Sequence, residues 1–280
     1  MSKIKSSQKK VSLSELNNHS TTNKRQALKD LNKLNFDELQ YKNPAQKRFY
    51  KTISTKDITF GIGPAGCGKT YLSVHKALRE LGDKDSPIDG IVIVKPLVEA
   101  AGEKIGFLPG DVEEKTAPFM MSFYYNMEQI VGKQRLDVLR DAGVIKVIPL
   151  AYMRGLTLTN TCVILDEAQN TLPIQIKTFL TRIGRGSKFI VNGDLLQTDI
   201  AHENGLEDSI KRLIGVRGLG MSRFTSEDIV RHPIVADVLS RYAPDWRVSH
   251  ESAEATMSNY IENGQAFAEK VRDKINKYYN

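Results

Sequence analysis

Cysteine is nearly missing from this chain of 280 residues, and that bounds its chemistry before any motif is read. The two thiols, Cys67 and Cys162, have neither a C-x-x-C pattern nor a metal-ligand spacing. No disulfide framework is expected, and a reducing cytoplasm fits. Long apolar runs are missing too: no stretch approaches the roughly 18 residues that a transmembrane helix needs. The first residues carry lysines but no apolar segment, so no signal peptide is expected. No internal repeat is visible.

Acidic excess is also lacking. Lys and Arg number 40 against 33 Asp and Glu, a formal charge of +7 with a pI near 9.2. Such a balance suits a polyanion partner, and it equally suits a surface of solvated lysines. The hydrophobic content of 40% is that of an ordinary globular protein, long enough for one large domain or two small ones. Residues 1–34 are polar and basic, with Lys3, Lys5, Lys9, Lys10, Lys24, Arg25, Lys29 and Lys33 against few acids. That composition buries little surface, so residues 1–40 read as a flexible basic arm with a short helix near 24–34. The arm either touches nucleic acid or is simply solvated.

What the chain does have is a phosphate-binding pattern in residues 58–81. A short apolar run (Ile58, Phe60, Ile62) meets Gly63-Pro64-Ala65-Gly66-Cys67-Gly68-Lys69-Thr70, and an apolar pattern at helical spacing follows. This is G-x-x-x-x-G-K-[ST] between a strand and a helix, as its mechanism requires. Glycines let several backbone N–H groups converge on phosphate oxygens, and the positive end of the following helix adds to that field. Lys69 can reach the outer phosphates, and the Thr70 hydroxyl can ligate Mg²⁺. With glycine at about 7% of residues, a chance match is roughly one in a hundred for a chain of this length. Cys67 fills a free position of the pattern and reads as a bystander or as a redox-sensitive thiol.

The second signal lies downstream. Residues 88–94 form an apolar run that ends at Lys95-Pro96, placing Lys95 at a strand's C-terminal edge, where α/β sheets bind ligands. Residues 99–110 are glycine-rich and read as a loop with a short helix. Residues 117–139 read as helical, with Phe119, Met120, Phe123, Tyr124, Met127 and Ile130 in the core. After a short strand at 145–148, Cys162-Val163-Ile164-Leu165-Asp166-Glu167 has the Walker B form. A buried strand there delivers Asp166 to the metal and Glu167 to the water that attacks the γ-phosphate. Glu167 argues for hydrolysis, since transfer to a second small substrate needs no carboxylate to polarise water.

Ala168-Gln169 completes a D-E-A-Q box, followed by a helix over 173–182 and a strand over 188–192. That strand ends in Gly193-Asp194-Leu195-Leu196-Gln197, where Gln197 can sense the γ-phosphate through a hydrogen bond. Upstream, Asn43 can cap a helix that begins at Pro44. Gln46, one turn in, carries an amide that either reads an adenine edge or faces solvent. The remaining chain suggests a helix over 205–214, a strand over 221–225 and a helix over 226–242 that contains Arg231-His232-Pro233. Pro233 would kink that helix or mark its start. An amphipathic stretch with Tyr260, Phe267, Val271 and Ile275 follows.

These segments, in this order, resemble the PhoH family, phosphate-starvation-associated ATPases with a helicase-like core. The likeness rests on N-P-A-Q (43–46), the phosphate loop, K-P-L-V-E-A-A-G-E-K-I-G-F-L-P-G (95–110), L-A-Y-M-R-G (150–155), V-I-L-D-E-A-Q-N-T (163–171), F-L-T-R-I-G-R-G-S-K (179–188), G-D-L-L-Q-T-D (193–199) and D-I-V-R-H-P (228–233). It implies an α/β fold of RecA-like P-loop type, with a mostly parallel sheet flanked by helices. The ATPase domain would span 41–243, between the arm and a helical extension over 244–280. ATP and Mg²⁺ would be bound, with Gln46 at the base, Gly63 through Thr70 at the phosphates, Asp166 at the metal, Glu167 at the water and Gln197 at the γ-phosphate.

The resemblance further implies RNA metabolism beside a ribonuclease, RNA rather than DNA as the nucleic acid, and a homo-oligomeric ring, such as a hexamer, in the cytoplasm. Helicases usually use two RecA-like lobes, and this chain has sequence for one. A ring would supply the second surface and an arginine in trans, for which Arg182, Arg185 and Arg231 are candidates. Cys67 stands where the family commonly has Thr, and Leu156 stands where it has a second Arg after Arg154-Gly155. Two other readings are a nucleotide-dependent switch or adaptor without motor activity, and a small-molecule P-loop kinase.

Overall fold

The computed structural model describes residues 13–34, 36, 38–96, 112–195, 197 and 204–230, with backbone alone for 13–22 and 112–119. The elements run α1 (Leu13–Asn32), α2 (Pro44–Thr55), β1 (Ile58–Ile62), α3 (Lys69–Leu81), β2 (Gly90–Val94), α4 (Val112–Val131) and α5 (Lys133–Asp141). They continue through β3 (Ile145–Val147), β4 (Thr161–Leu165), α6 (Pro173–Leu180), β5 (Lys188–Gly193), α7 (Gly205–Leu213) and β6 (Leu219–Arg223).

Six strands pair in the order β3-β2-β4-β5-β1-β6, and every pairing is parallel. This is the expected RecA-like sheet, with β5 lying between the strand of the phosphate loop and the strand of the Walker B motif. Successive side chains of a strand point to opposite faces, and the core divides accordingly. Ile91, Ile93, Cys162, Ile164 and Ile190 pack under α1 to α5, while Val92, Val94, Val163, Leu165, Phe189 and Val191 pack under α6 and α7. Continuous apolar runs in β2 and β4 are thus read on both faces, as buried parallel strands must be. Phe49, Phe60, Phe123, Phe179 and Phe189 are fully buried, each contributing about 1.5–3 kcal/mol by leaving water.

Local signals set most helix starts. Asn43 caps α2 by accepting from Gln46 N at 2.9 Å, with Pro44 in the first turn. Asn204 caps α7 by accepting from Leu206 N and Glu207 N. In α7, Glu207 and Asp208 lie in the first turn and Lys211 and Arg212 in the last, which matches the helix dipole.

Three expectations need correction. The helix near 24–34 is part of the longer α1, and its Ala27 and Leu31 are buried in the core, so these residues are not a free arm. Apolar side chains four apart made one helix face, which the surrounding polar composition concealed. The helical region at 117–139 is two helices, broken at Gly132, whose φ is +80°. The helix expected over 226–242 does not begin at Ser226: residues 226–228 make a single 3-10 turn, and Ile229 leaves it with ψ 121°. Asp228 accepts from Thr225 N and Oγ1, which closes the turn on itself. The loop expected over 99–110 and the chain from Arg231 onwards, with its amphipathic stretch, lie outside the described residues. Among the described residues, no helix is long and apolar enough to cross a membrane.

Candidate active site

Parallel strands deliver their C-terminal ends to one edge, and there the motifs meet. The phosphate loop leaves β1, Asp166 and Glu167 leave β4, and Asp194 leaves β5. Gly63 N donates to Gly193 O at 3.1 Å, so the β1–β5 ladder continues into the loop. Gly68 then starts α3 with φ +85°, a left-handed conformation that glycine adopts without steric cost. The result is a cleft of about 830 Å³ whose lining includes Gly66, Lys69, Thr70, Asp166, Glu167 and Gln197.

Lys69 is buried, and its Nζ donates to Gly63 O at 2.6 Å and Pro64 O at 2.8 Å. Burial pushes its pKa down, against the pull of Cys67, Asp194, Asp166 and Glu167. Thr70 Oγ1 donates to Asp166 at 3.1 and 3.4 Å from the two carboxylate oxygens. Burial, and then the charge of Glu167, push the Asp166 carboxyl up to about 6, opposed by Lys95, Lys69 and the Thr70 hydrogen bond. A buried carboxylate beside a hydroxyl, both hard oxygen donors, fits a small divalent cation such as Mg²⁺. Bound there, the cation would offset the negative charge of both phosphates and carboxylates.

Glu167 differs from its neighbour. It is exposed and sits at φ 56°, ψ 41°, a left-handed conformation costing a non-glycine residue about 1–2 kcal/mol. Its Oε2 accepts from Gln169 Nε2 at 2.7 Å. Gln197 is exposed, and its N–H donates to Asp194 O at 3.4 Å.

Gln46 is 4% exposed, so it does not face solvent. Its Nε2 donates to Cys67 O at 3.0 Å and its Oε1 accepts from Lys42 N at 2.8 Å. It lines a second cavity of about 470 Å³ together with Phe36, Leu39, Tyr71, His75 and Ile130. Gly68, Tyr71 and Val230 line both cavities, so the two adjoin at the start of α3. Cys67 is fully buried with its Sγ 3.8 Å from Thr225 O, and Cys162 is also buried and free, its thiol pushed up to about 12 by burial.

The arginine candidates part company. Arg182 and Arg185 precede β5 and therefore lie at the N-terminal edge of the sheet, a strand's length (about 17 Å) from the phosphate loop. The Arg182 guanidinium donates to Thr178 O, Leu156 O and Thr181 Oγ1 of its own chain. Arg185 lines a third cavity, of about 570 Å³, with Lys188 and Arg217. Arg231 lies outside the described residues.

Known proteins resemble this chain in sequence over the part that builds the cleft. The family model described as PhoH-like protein matches residues 38–243. The chain belongs to the PhoH-like family. It is 44% identical over 206 residues to the PhoH-like protein of Bacillus subtilis (strain 168), covering 73% of this chain and 64% of that one. Protein PhoH of Escherichia coli (strain K12) is 40% identical over 206 residues, covering 72% and 57%. The chain thus spans less than two thirds of the length of these relatives. A solved large terminase from a thermophilic bacteriophage superposes with a TM-score of 0.45 at 13% identity, covering 71% of this chain and 49% of that one, too distant to inform the reading.

Several residues of this PhoH-like site escaped sequence reasoning. Ser122, Tyr125 and Asn126 of α4 line the large cleft. They occupy the face opposite to Met120, Phe123 and Met127, which are buried as expected. The signal was present: the three recur at helical spacing on the face left over once the core positions are removed. Lys95, expected at the ligand-binding C-terminal edge of β2, does line the cleft. Val230, whose N donates to Gly66 O at 3.0 Å, had no sequence signal.

Proposed function

We propose that this PhoH-like chain hydrolyses ATP with Mg²⁺ and couples that turnover to RNA, as a remodeller in RNA metabolism that works in a ring of subunits beside a ribonuclease. One observation carries the hydrolytic part: Lys69, Thr70, Asp166 and Glu167 line one cleft, with Asp166 buried on the Thr70 hydroxyl and Glu167 reaching into the open. Lys69 moves from the loop carbonyls to the β- and γ-phosphates, and loop N–H groups bind their oxygens. Thr70 and Asp166 hold the cation, which supplies charge neutralisation at the phosphates. Glu167 orients a water for attack on the γ-phosphorus and accepts its proton on a carboxylate oxygen. Gln197, at the mouth, hydrogen-bonds the γ-phosphate. The base enters the adjoining cavity beside Gln46, between the apolar sides of Phe36, Leu39 and Ile130.

RNA is supported by the net charge of +7 and by the family likeness. The test is ATP turnover with and without RNA or DNA, on a sample whose solution mass is measured. Turnover in water, increased by RNA, is the expected result. No turnover in either condition would overturn the ATPase; turnover indifferent to RNA would remove the RNA coupling. A monomer at full activity would remove the ring.

A further inference from the structure

The carboxylate that acts on water has to be aimed, and an exposed glutamate has several staggered rotamers open to it. Glu167 is held from below by Gln169, which is 1% exposed and does not line the cleft. Gln169 Nε2 donates to Glu167 Oε2 at 2.7 Å, and Gln169 Oε1 accepts from Asp194 N at 3.0 Å. The chemistry of these two neighbours fixes the amide's orientation. A backbone N–H can only donate and an ionised carboxylate can only accept, so the amide nitrogen must face Glu167. No other uncharged side chain of this length supplies one donor and one acceptor at these ends.

The far end of the link matters as much. Asp194 begins the turn that carries Gln197, whose N–H donates to Asp194 O. Gly193 O accepts from Gly63 N of the phosphate loop, and a Cβ on Gly193 would come within 3.0 Å of Gln169 Oε1. Gln169 therefore joins the Walker B carboxylate to a turn that touches the loop and carries Gln197.

Resting on the reading of this site as an ATPase, we propose that Gln169 is a positioning residue that sets the Glu167 carboxylate for attack and ties it to the 193–197 turn. Gln169 acts through Glu167, so its loss leaves ATP binding intact and lowers the chemical step.

Two variants separate this role from packing. Gln169→Met keeps the volume and removes both hydrogen bonds. Gln169→Glu keeps an acceptor for Asp194 N and sets a second carboxyl against Glu167. In folded proteins with melting temperatures near that of the parent, both lower kcat, by roughly ten- to hundredfold, as loss of an outer hydrogen-bond partner does elsewhere. Gln169→Glu is the slower of the two, and KM for ATP stays within about twofold in both. Hydrogen exchange at the Asp194 amide provides a reading independent of turnover: it quickens in Gln169→Met and stays slow in Gln169→Glu. A parental kcat in Gln169→Met, or unchanged Asp194 exchange in it, overturns the proposal. If the parent chain hydrolyses no ATP, the ATPase reading fails, while the exchange data still decide whether the link exists.

Discussion

The two edges of the sheet make opposite use of basic residues and glycine. At the C-terminal edge, Gly63, Gly66 and Gly68 open a loop around Lys69, and two acidic residues stand across the cleft from it. At the N-terminal edge, Gly184, Gly186 and Gly218 sit beside Arg185, Lys188 and Arg217. A Cβ on Gly184 would strike Leu158 O and Thr159, and one on Gly218 would lie 2.7 Å from Asp57. Those glycines let connections pack closely. Lys188 is likewise consumed by structure, donating to Ile53 O, Ser54 O and Lys56 O at the end of α2. Similar composition at two edges thus frames a carboxylate-lined cleft at one and closes the fold at the other. What separates them is the adjacent carboxylate pair, Asp166 and Glu167, that a strand end brings into one cleft with Lys69, whereas the N-terminal cavity is lined by Asp57 alone among the acids.

Removing the cation of the first edge gives the largest expected effect. Lys69→Ala is expected to eliminate measurable nucleotide binding, a loss of about 3 kcal/mol or more for charge-assisted hydrogen bonds, read by titration calorimetry. Glu167→Gln is expected to keep binding and to slow hydrolysis by about 10²–10⁴-fold, read in single-turnover assays. Equal turnover in that variant would favour a nucleotide-dependent switch over a hydrolase.

The next effect concerns Asp166 and has a definite sign. Its pKa is raised from about 3.8 to about 6 in the folded chain, so the native state holds the proton more tightly than the unfolded one. The stability this contributes is present below about 3.8 and is lost as pH rises through about 6. Without nucleotide and cation, Asp166→Asn is therefore expected to raise the melting temperature at pH 8, by up to about 3 kcal/mol of stability, and to have little effect near pH 3.5. Lys95 opposes the raised pKa of Asp166, so Lys95→Ala would move the acid limb of any ATPase profile to higher pH.

The sequence made the C-terminal edge legible because its chemistry is local: loop, strand end and cap each lie within a few residues. Asn43, Gly68 and Asp166 follow from rules of that range. The parts that were not legible depend on contacts across the chain. Gln46 lies 21 residues from Cys67, and only packing brings its amide under the loop. Gln169 looked like the end of a motif until Asp194, 25 residues on, supplied its second partner. His75 gave no sequence signal, yet it shares a 2.9 Å hydrogen bond with Tyr50, and burial lowers its pKa to about 4. In α1, polar residues outnumbered the few that reach the core, so composition suggested an arm where Ala27 and Leu31 form an anchor.

The smallest expected effect is at the other edge. Arg185 lies too far from its own phosphate loop to touch a bound nucleotide, so Arg185→Ala should leave ATP affinity unchanged within about twofold in isolated chains. If subunits assemble head to tail, one chain's N-terminal edge can meet its neighbour's cleft, and the same variant would lower turnover only in the assembled state. There the loss could reach the roughly 10³–10⁵-fold known for arginines supplied in trans. Mixing Arg185→Ala with Lys69→Ala chains distinguishes the two cases. Restored turnover in the mixture requires that one chain give the arginine and the other the loop. A mixture no more active than its parts would leave Arg185 in the N-terminal connection with no part in the reaction.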